Sequence, residues 1–299
     1  MRLFPSLRRH ARTRRARALA VGAAVALAAA LVPAQAASAC APHTLSVVSL
    51  GDSITQGYAT CGSLADCPSN SWATGTNPEV NSFATRLGAA RPGTQITTAN
   101  YSHSGDVLAQ VPSHVDAAVA AGVHADVVTL LIGGNDLCAP TNAVAADGYT
   151  MTPADAFQSA AFSAITRIRT AWPTAHIVLS STPNIAAEWS VVKNGPGGVI
   201  WPAANACRTT RGVGADGSAL NSTAAAASVK AAATRTEQYN SALQHACTLD
   251  GPLCDWDGGA LTAAPITEDV ISTVDDFHPS VVGQAKIAAI QWGASDFAR

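Results

Sequence analysis

Nowhere in its 299 residues does the chain carry a Cys-x-x-Cys pair or a close cluster of histidine with cysteine, so its seven cysteines lack the ligand spacing of a zinc site. No metal and no cofactor is expected. Lysine is nearly missing, represented by Lys193, Lys230 and Lys286 alone. No apolar run reaches the roughly 20 residues that a membrane-spanning helix needs; the stretch 18–32 supplies 15. No internal repeat is visible, which sets solenoid and propeller architectures aside.

Acidic residues are also absent from the first 39 positions, where seven arginines (Arg2, Arg8, Arg9, Arg12, Arg14, Arg15, Arg17) precede the apolar stretch. Small-x-small sites follow at Ala34-Gln35-Ala36 and Ala37-Ser38-Ala39. Residues 1–39 therefore read as an export signal cleaved near Ala36 or Ala39, and residues 40–299 as a single secreted domain. Thr13-Arg14-Arg15 leaves the general and twin-arginine routes both open. Losing the leader takes seven of the 18 basic residues and leaves 11 against 20 acidic ones, a net charge near −9. Such a surface repels nucleic-acid phosphates and anionic bilayers, so neither nucleic acid nor stable membrane insertion is expected. The secreted form is expected to be a monomer.

In an exported chain, cysteines read first as disulfides. Short loops favour Cys61 with Cys67 and Cys247 with Cys254, which leaves Cys138 for Cys207. Cys40 is then the odd one, either free or lipidated after cleavage.

Extended runs at 45–50, 95–100, 126–132 and 176–182 alternate with helical patterns at about 81–91, 106–121, 154–171, 234–247 and 280–292. A fifth strand is placed near 270–274. Continuous apolar strands separated by helices imply a parallel sheet covered on both faces, an α/β fold. Thr152-Pro153 reads as a helix N-cap followed by a first-turn proline, and His278-Pro279 as another. The stretch 183–234, rich in glycine, reads as one long loop excursion. Its Gly212-Val213-Gly214-Ala215-Asp216-Gly217 matches a dinucleotide fingerprint by letters only, because no strand precedes it.

Ligands gather at the carboxyl ends of such strands. There the chain places Gly51-Asp52-Ser53-Ile54-Thr55, then Gly105, then Gly133-Gly134-Asn135-Asp136; Asp275-Asp276-Phe277-His278-Pro279 follows near the C-terminus. A serine hydroxyl becomes a nucleophile when a base removes its proton and a third group fixes that base. Asp275 and His278, three apart, can be held together by one turn. Backbone N–H groups of Ser53 and Gly105 and the Asn135 amide can receive charge that develops on a carbonyl oxygen. Blander readings stand beside these: Ser53 or His278 as helix caps, Asn135 and Asp136 as a strand-end turn with Asp136 structural, and Asp276 in place of Asp275.

In that order the four segments resemble the GDSL, or SGNH, family of serine ester hydrolases. The wording from Leu131 to Cys138 is similar to the phospholipase B-like branch and related secreted bacterial lipases, and Ser71-Trp72-Ala73-Thr74-Gly75 and Tyr239-Asn240 add to the likeness. The resemblance implies a three-layer α/β/α sandwich with a central, mainly parallel sheet of about five strands. It also implies Ser53, His278 and Asp275 as catalytic residues, with Ser53, Gly105 and Asn135 forming the oxyanion hole. Without Gly-x-Ser-x-Gly the nucleophile does not sit on the elbow of the α/β-hydrolase fold. The activity implied is carboxylic ester hydrolysis through an acyl-serine, on lipid-like esters that include phospholipids. A carbohydrate deacetylase on the same scaffold is the alternative, and a non-catalytic envelope-binding protein a weaker one. Trp189, Val191, Val192, Val199, Ile200 and Trp201 in the excursion are expected to bind the acyl chain, the alternative being that they pack back as ordinary loop core.

Overall fold

The computed structural model describes residues 43–299; the expected leader and Cys40 lie outside the described residues. Five parallel strands form one sheet: β1 His43–Gly51, β2 Thr94–Asn100, β3 Val127–Leu131, β4 His176–Leu179 and β5 Cys254–Trp256. Their order is β2-β1-β3-β4-β5. The register sets Gly51 opposite Leu131 and Ser49 opposite Asn100, so three strand ends converge on one rim.

Side chains alternate across each strand, and the apolar runs serve both faces. Val47, Val127, Leu131 and Val178 pack beneath α1 (Phe83–Ala90). On the opposite face Val48, Val128, Leu130, Ile177 and Leu179 meet α2 (Val111–Ala120). Short α3 (Gly134–Cys138) leads directly out of the β3 end. It is followed by α4 (Ala154–Ala171), α5 (Ile185–Val192) and α6 (Gly197–Ala203). Then come α7 (Ser222–Asp250), α8 (Ala260–Ala263) and α9 (Val281–Ala294). α4 and α7 join α2 on its face, and α9 joins α1. The result is the α/β/α arrangement.

Three expectations change. The fifth strand is Cys254–Trp256, not 270–274. Its three residues are too short for a pattern, and they are pinned by the Cys247–Cys254 disulfide and the His176–Asp255 contact. Ile271 pairs instead with Pro279 across its own loop, in an isolated antiparallel bridge. The stretch 183–234 is not one loop: it holds α5, α6 and the start of α7, which Asn221 caps by accepting from Ala224 N–H. The proline caps shift as well. Pro153 itself is the N-cap residue, without a side-chain bond, while Ser280 caps α9 by accepting from Gly283 N–H. The disulfides are Cys61–Cys67, Cys138–Cys207 and Cys247–Cys254. The second joins the end of α3 to the segment after α6, across 69 residues.

Candidate active site

Ser53 lies two residues past the end of β1. The sharp exit depends on Gly51, whose φ of 141° suits glycine; a Cβ there would stand 2.3 Å from the Leu131 carbonyl oxygen. The turn that follows is braced from outside. Gln284 of α9 donates to the Ile54 carbonyl at 2.8 Å and accepts from Trp72 N–H at 2.9 Å. The Trp72 indole donates to Thr55 Oγ1 at 3.1 Å. The Ser71–Gly75 segment therefore serves the site as a buried buttress.

His278 arrives on the loop before α9. Its Nε2 is 2.8 Å from Ser53 Oγ, and its Nδ1 is 2.6 Å from Asp275 Oδ2. Asp275 Oδ1 accepts from the N–H groups of Phe277 and His278, at 3.1 and 3.0 Å. Burial works to raise the Asp275 pKa, but the bond and charge of His278 and the two backbone donors outweigh it and hold the group below the usual carboxylate range. The loop itself is fixed by Ser272 N–H donating to the His278 carbonyl at 2.7 Å, and by Tyr58 lying 4.7 Å from the imidazole ring. Asp276, with φ 49°, turns away and offers its carbonyl to the Trp201 indole at 2.8 Å. Asp275, not Asp276, contacts the histidine.

Among the described residues, the N–H groups of Ser53 and Gly105 donate to no protein acceptor. Gly105 has φ 94° and no atom near the place a Cβ would take. Asn135, at the start of α3, uses one amide hydrogen on the Asp106 carbonyl at 2.9 Å, which orients the group and leaves the other hydrogen free. Asp136 is turned inward, where its Oδ2 accepts from Leu108 N–H at 3.0 Å; burial raises its pKa to about 6. Tyr239 of α7 reaches the Asp136 carbonyl at 3.3 Å, and Asn240 accepts from Thr182 N–H at 2.8 Å, so α7 holds this turn from below.

Sequence reasoning did not anticipate two buried acids here. Asp52 has its pKa raised to about 7, mainly by burial, although Ile54 N–H donates to it. Glu188 of α5 lines the same cavity as Ser53. Its signal was a single acid within the apolar run from Ile185 to Val192.

A cavity enclosing about 790 Å³, counted to its open mouth, rises from Ser53, Asn135 and His278. Its walls are mostly apolar, formed by Ile185, Leu261, Ile266, Ile271, Phe277 and Ile287. None of the six excursion residues expected to bind the acyl chain lines it. Trp201 is 1% exposed and packs between Trp189 and Phe277, with centroids 5.1 and 5.0 Å away. Val199 points to solvent. The pair of tryptophans is loop core behind the His278 segment, because the indole N–H finds its acceptor there and not in the cavity. Away from the cleft, ligand atoms of His176, Asp255 and Asp296 lie within 4.8 Å of one another. Asp255 already accepts from His176 and from Asp296 N–H at 2.8 Å each, so this group is satisfied as it stands.

Among solved structures the chain is similar to a catalytic mutant of Axe2, an acetylxylan esterase from Geobacillus stearothermophilus. Identity is 16%, with 85% of this chain and 96% of that one covered and a TM-score of 0.51. It is also similar to TesA at 17% identity, covering 83% of this chain and 97% of that one with a TM-score of 0.50. At such identities the likeness establishes the fold alone. No curated protein sequence matches significantly. The GDSL-like Lipase/Acylhydrolase family matches residues 49–286, from the end of the strand that leads to Ser53 into the helix that follows His278. The chain belongs to the GDSL-like lipase/acylhydrolase family.

Proposed function

We propose that the protein is an exported serine carboxylic ester hydrolase that acts on lipid-like acyl esters, phospholipids among them, through an acyl-serine intermediate. The observation that carries this is the continuous chain from Ser53 Oγ through His278 to Asp275, opening into an apolar cavity. In the first half-reaction His278 Nε2 takes the Ser53 proton as Oγ attacks the ester carbon. The oxygen that gains charge faces the N–H groups of Ser53 and Gly105 and the free amide hydrogen of Asn135. His278 then gives its proton to the departing alcohol, and water repeats the sequence on the acyl-serine. Asp275 keeps the imidazole in the tautomer with hydrogen on Nδ1 and balances the imidazolium. Apolar walls such as Ile266 and Ile287 suit an acyl tail, which favours lipid-like esters over acetylated glycans.

Three disulfides suit an oxidising compartment and, with the leader-like residues 1–39, support export and a mature domain of residues 40–299. Among the described residues no helix is long and apolar enough to cross a membrane. The test is phosphonylation of Ser53 by a fluorophosphonate probe, followed by turnover of phospholipid, long-chain esters and acetylated xylan. Labelling at Ser53 with preference for long chains is expected. Turnover of acetylated xylan alone would transfer the assignment to a deacetylase, and an unlabelled Ser53 with no ester turned over would end the ester-hydrolase reading.

A further inference from the structure

The cavity above Ser53 contains a polar group that the reaction does not use. Glu188 is 8% exposed and lines the wall with Ile185 and Phe277. Among the described residues neither of its carboxyl oxygens takes a hydrogen bond or an ion pair, and Oε1 is wholly sealed from solvent. Buried polar groups are nearly always matched, since an unmatched one costs desolvation without return. A leucine at this place on α5 would remove that cost. Burial first, then the charge of Asp275, pushes the Glu188 carboxyl well above the ordinary range, toward the neutral acid that both donates and accepts.

The surroundings select the ligand. An ammonium group would need the ionised form, which burial and Asp275 both oppose. Lys286, on the same cavity and bonded to the Pro265 carbonyl, adds a positive charge that repels a cation. A hydroxyl group matches the neutral acid in both directions. We propose that Glu188 is a specificity-determining residue that hydrogen-bonds a hydroxyl group of the substrate, so that esters bearing a free hydroxyl beside their apolar part are turned over in preference to plain ones. The inference rests on the ester-hydrolase reading of the same site. The hydroxyl belongs either to the alcohol portion, as in a partial glyceride, or to a hydroxylated acyl chain.

Two matched pairs of esters, each exchanging a hydroxyl for a methyl group, separate these sources: hydroxypropyl octanoate against butyl octanoate, and methyl hydroxyoctanoate against methyl nonanoate. The wild-type kcat/KM is expected to favour the hydroxylated member of one pair by about tenfold or more, the effect of a satisfied buried hydrogen bond. The pair that responds identifies the source. Glu188→Gln, which keeps a donor and an acceptor, should retain most of the ratio. Glu188→Leu should lower it roughly 10- to 100-fold, with a higher Tm because a buried unmatched group is gone. If Glu188→Leu does not fold, Glu188→Met carries the same comparison. Wild-type ratios near one in both pairs, or a ratio unchanged in the apolar variant while its Tm rises, would overturn the inference and leave Glu188 a buried acid without a ligand. Plain esters would still be hydrolysed in that case. No turnover of any ester and no labelling of Ser53 would overturn the parent reading and this inference together.

Discussion

On the His278 side of the cleft, Asp275 receives the imidazole at 2.6 Å and two backbone N–H groups, and its pKa falls although it is buried. Beneath the nucleophile Asp52 accepts from Ile54 N–H and Asp136 from Leu108 N–H and the Thr152 side chain, while Glu188 on the cavity wall accepts from none, and all three are pushed up, chiefly by burial. Burial alone therefore does not set the charge of a carboxyl group here. The imidazole does: of these four, only the group bonded to His278 falls below the usual carboxylate range, and that group must balance the imidazolium during attack. The other three lack such a bonded partner, and burial raises them.

The sharpest break of this comparison removes the reacting pair. Ser53→Ala and His278→Ala should each lower kcat by about 10⁴-fold or more with the fold retained, because nucleophile and base act as a unit. Circular dichroism with steady-state kinetics checks it; residual activity within tenfold of wild type would place the nucleophile elsewhere. Next comes the ionised carboxylate. Asp275→Asn should cost about 10³- to 10⁴-fold through the wrong imidazole tautomer, whereas Asp276→Asn should cost little because that side chain does not reach His278. The reverse ranking would exchange their roles. Asn135→Ala should reduce kcat by roughly 10²- to 10³-fold at nearly constant KM, the signature of a lost oxyanion donor. A rise in KM alone would make Asn135 a ground-state contact.

Legibility in the sequence followed the same division. Ser53, Gly105, Asn135, Asp275 and His278 sit in four short segments whose order resembles the GDSL family, and it is that resemblance that points to them. The structure brings Ser53, Asp275 and His278 into one hydrogen-bonded chain. Strands β1, β3 and β4 were legible because buried parallel strands are apolar runs, and the edge strand β2 because Ile96, Thr97 and Thr98 are β-branched. The cavity wall was not. It is assembled from residues 183–188 and 261–287, separated by the whole of α7, and its members are ordinary apolar residues. Val270 and Ile271 mimicked a strand because they face that cavity. The helical content of 183–234 was hidden by glycines, and α7 begins 12 residues before its expected start, on an alanine run whose only local sign is Asn221.

Trp201 tests where substrate selection resides. Its indole packs against Phe277 and bonds the Asp276 carbonyl, so it supports the His278 arm from behind. Trp201→Ala should cost about 3–5 kcal/mol of stability as a buried aromatic truncation. Activity should fall alike on long- and short-chain esters, with a lower Tm. A loss confined to long chains at unchanged Tm would return acyl recognition to α5 and α6.

The last expected effect concerns Asp52, one of the carboxyls that burial raises. In the unfolded chain this carboxyl ionises near 3.8; in the fold it keeps its proton to about 7. Between those values the unfolded state binds fewer protons than the native state, so the contribution of Asp52 is complete below pH 4 and is lost as pH rises toward 7. The slope is about 1.4 kcal/mol per pH unit. Asp275 has the opposite sign: its contribution is present above its unfolded value and is lost as pH falls through its lowered native one. Asp52→Asn keeps an oxygen for Ile54 N–H but cannot ionise. Its Tm, relative to wild type, should therefore rise by several degrees between pH 4 and pH 7, while Asp136 and Glu188 retain part of the wild-type slope in both proteins. A Tm difference that stays constant across that range would mean that Asp52 is ionised in the fold, and that the floor of the cleft carries charge beneath the nucleophile.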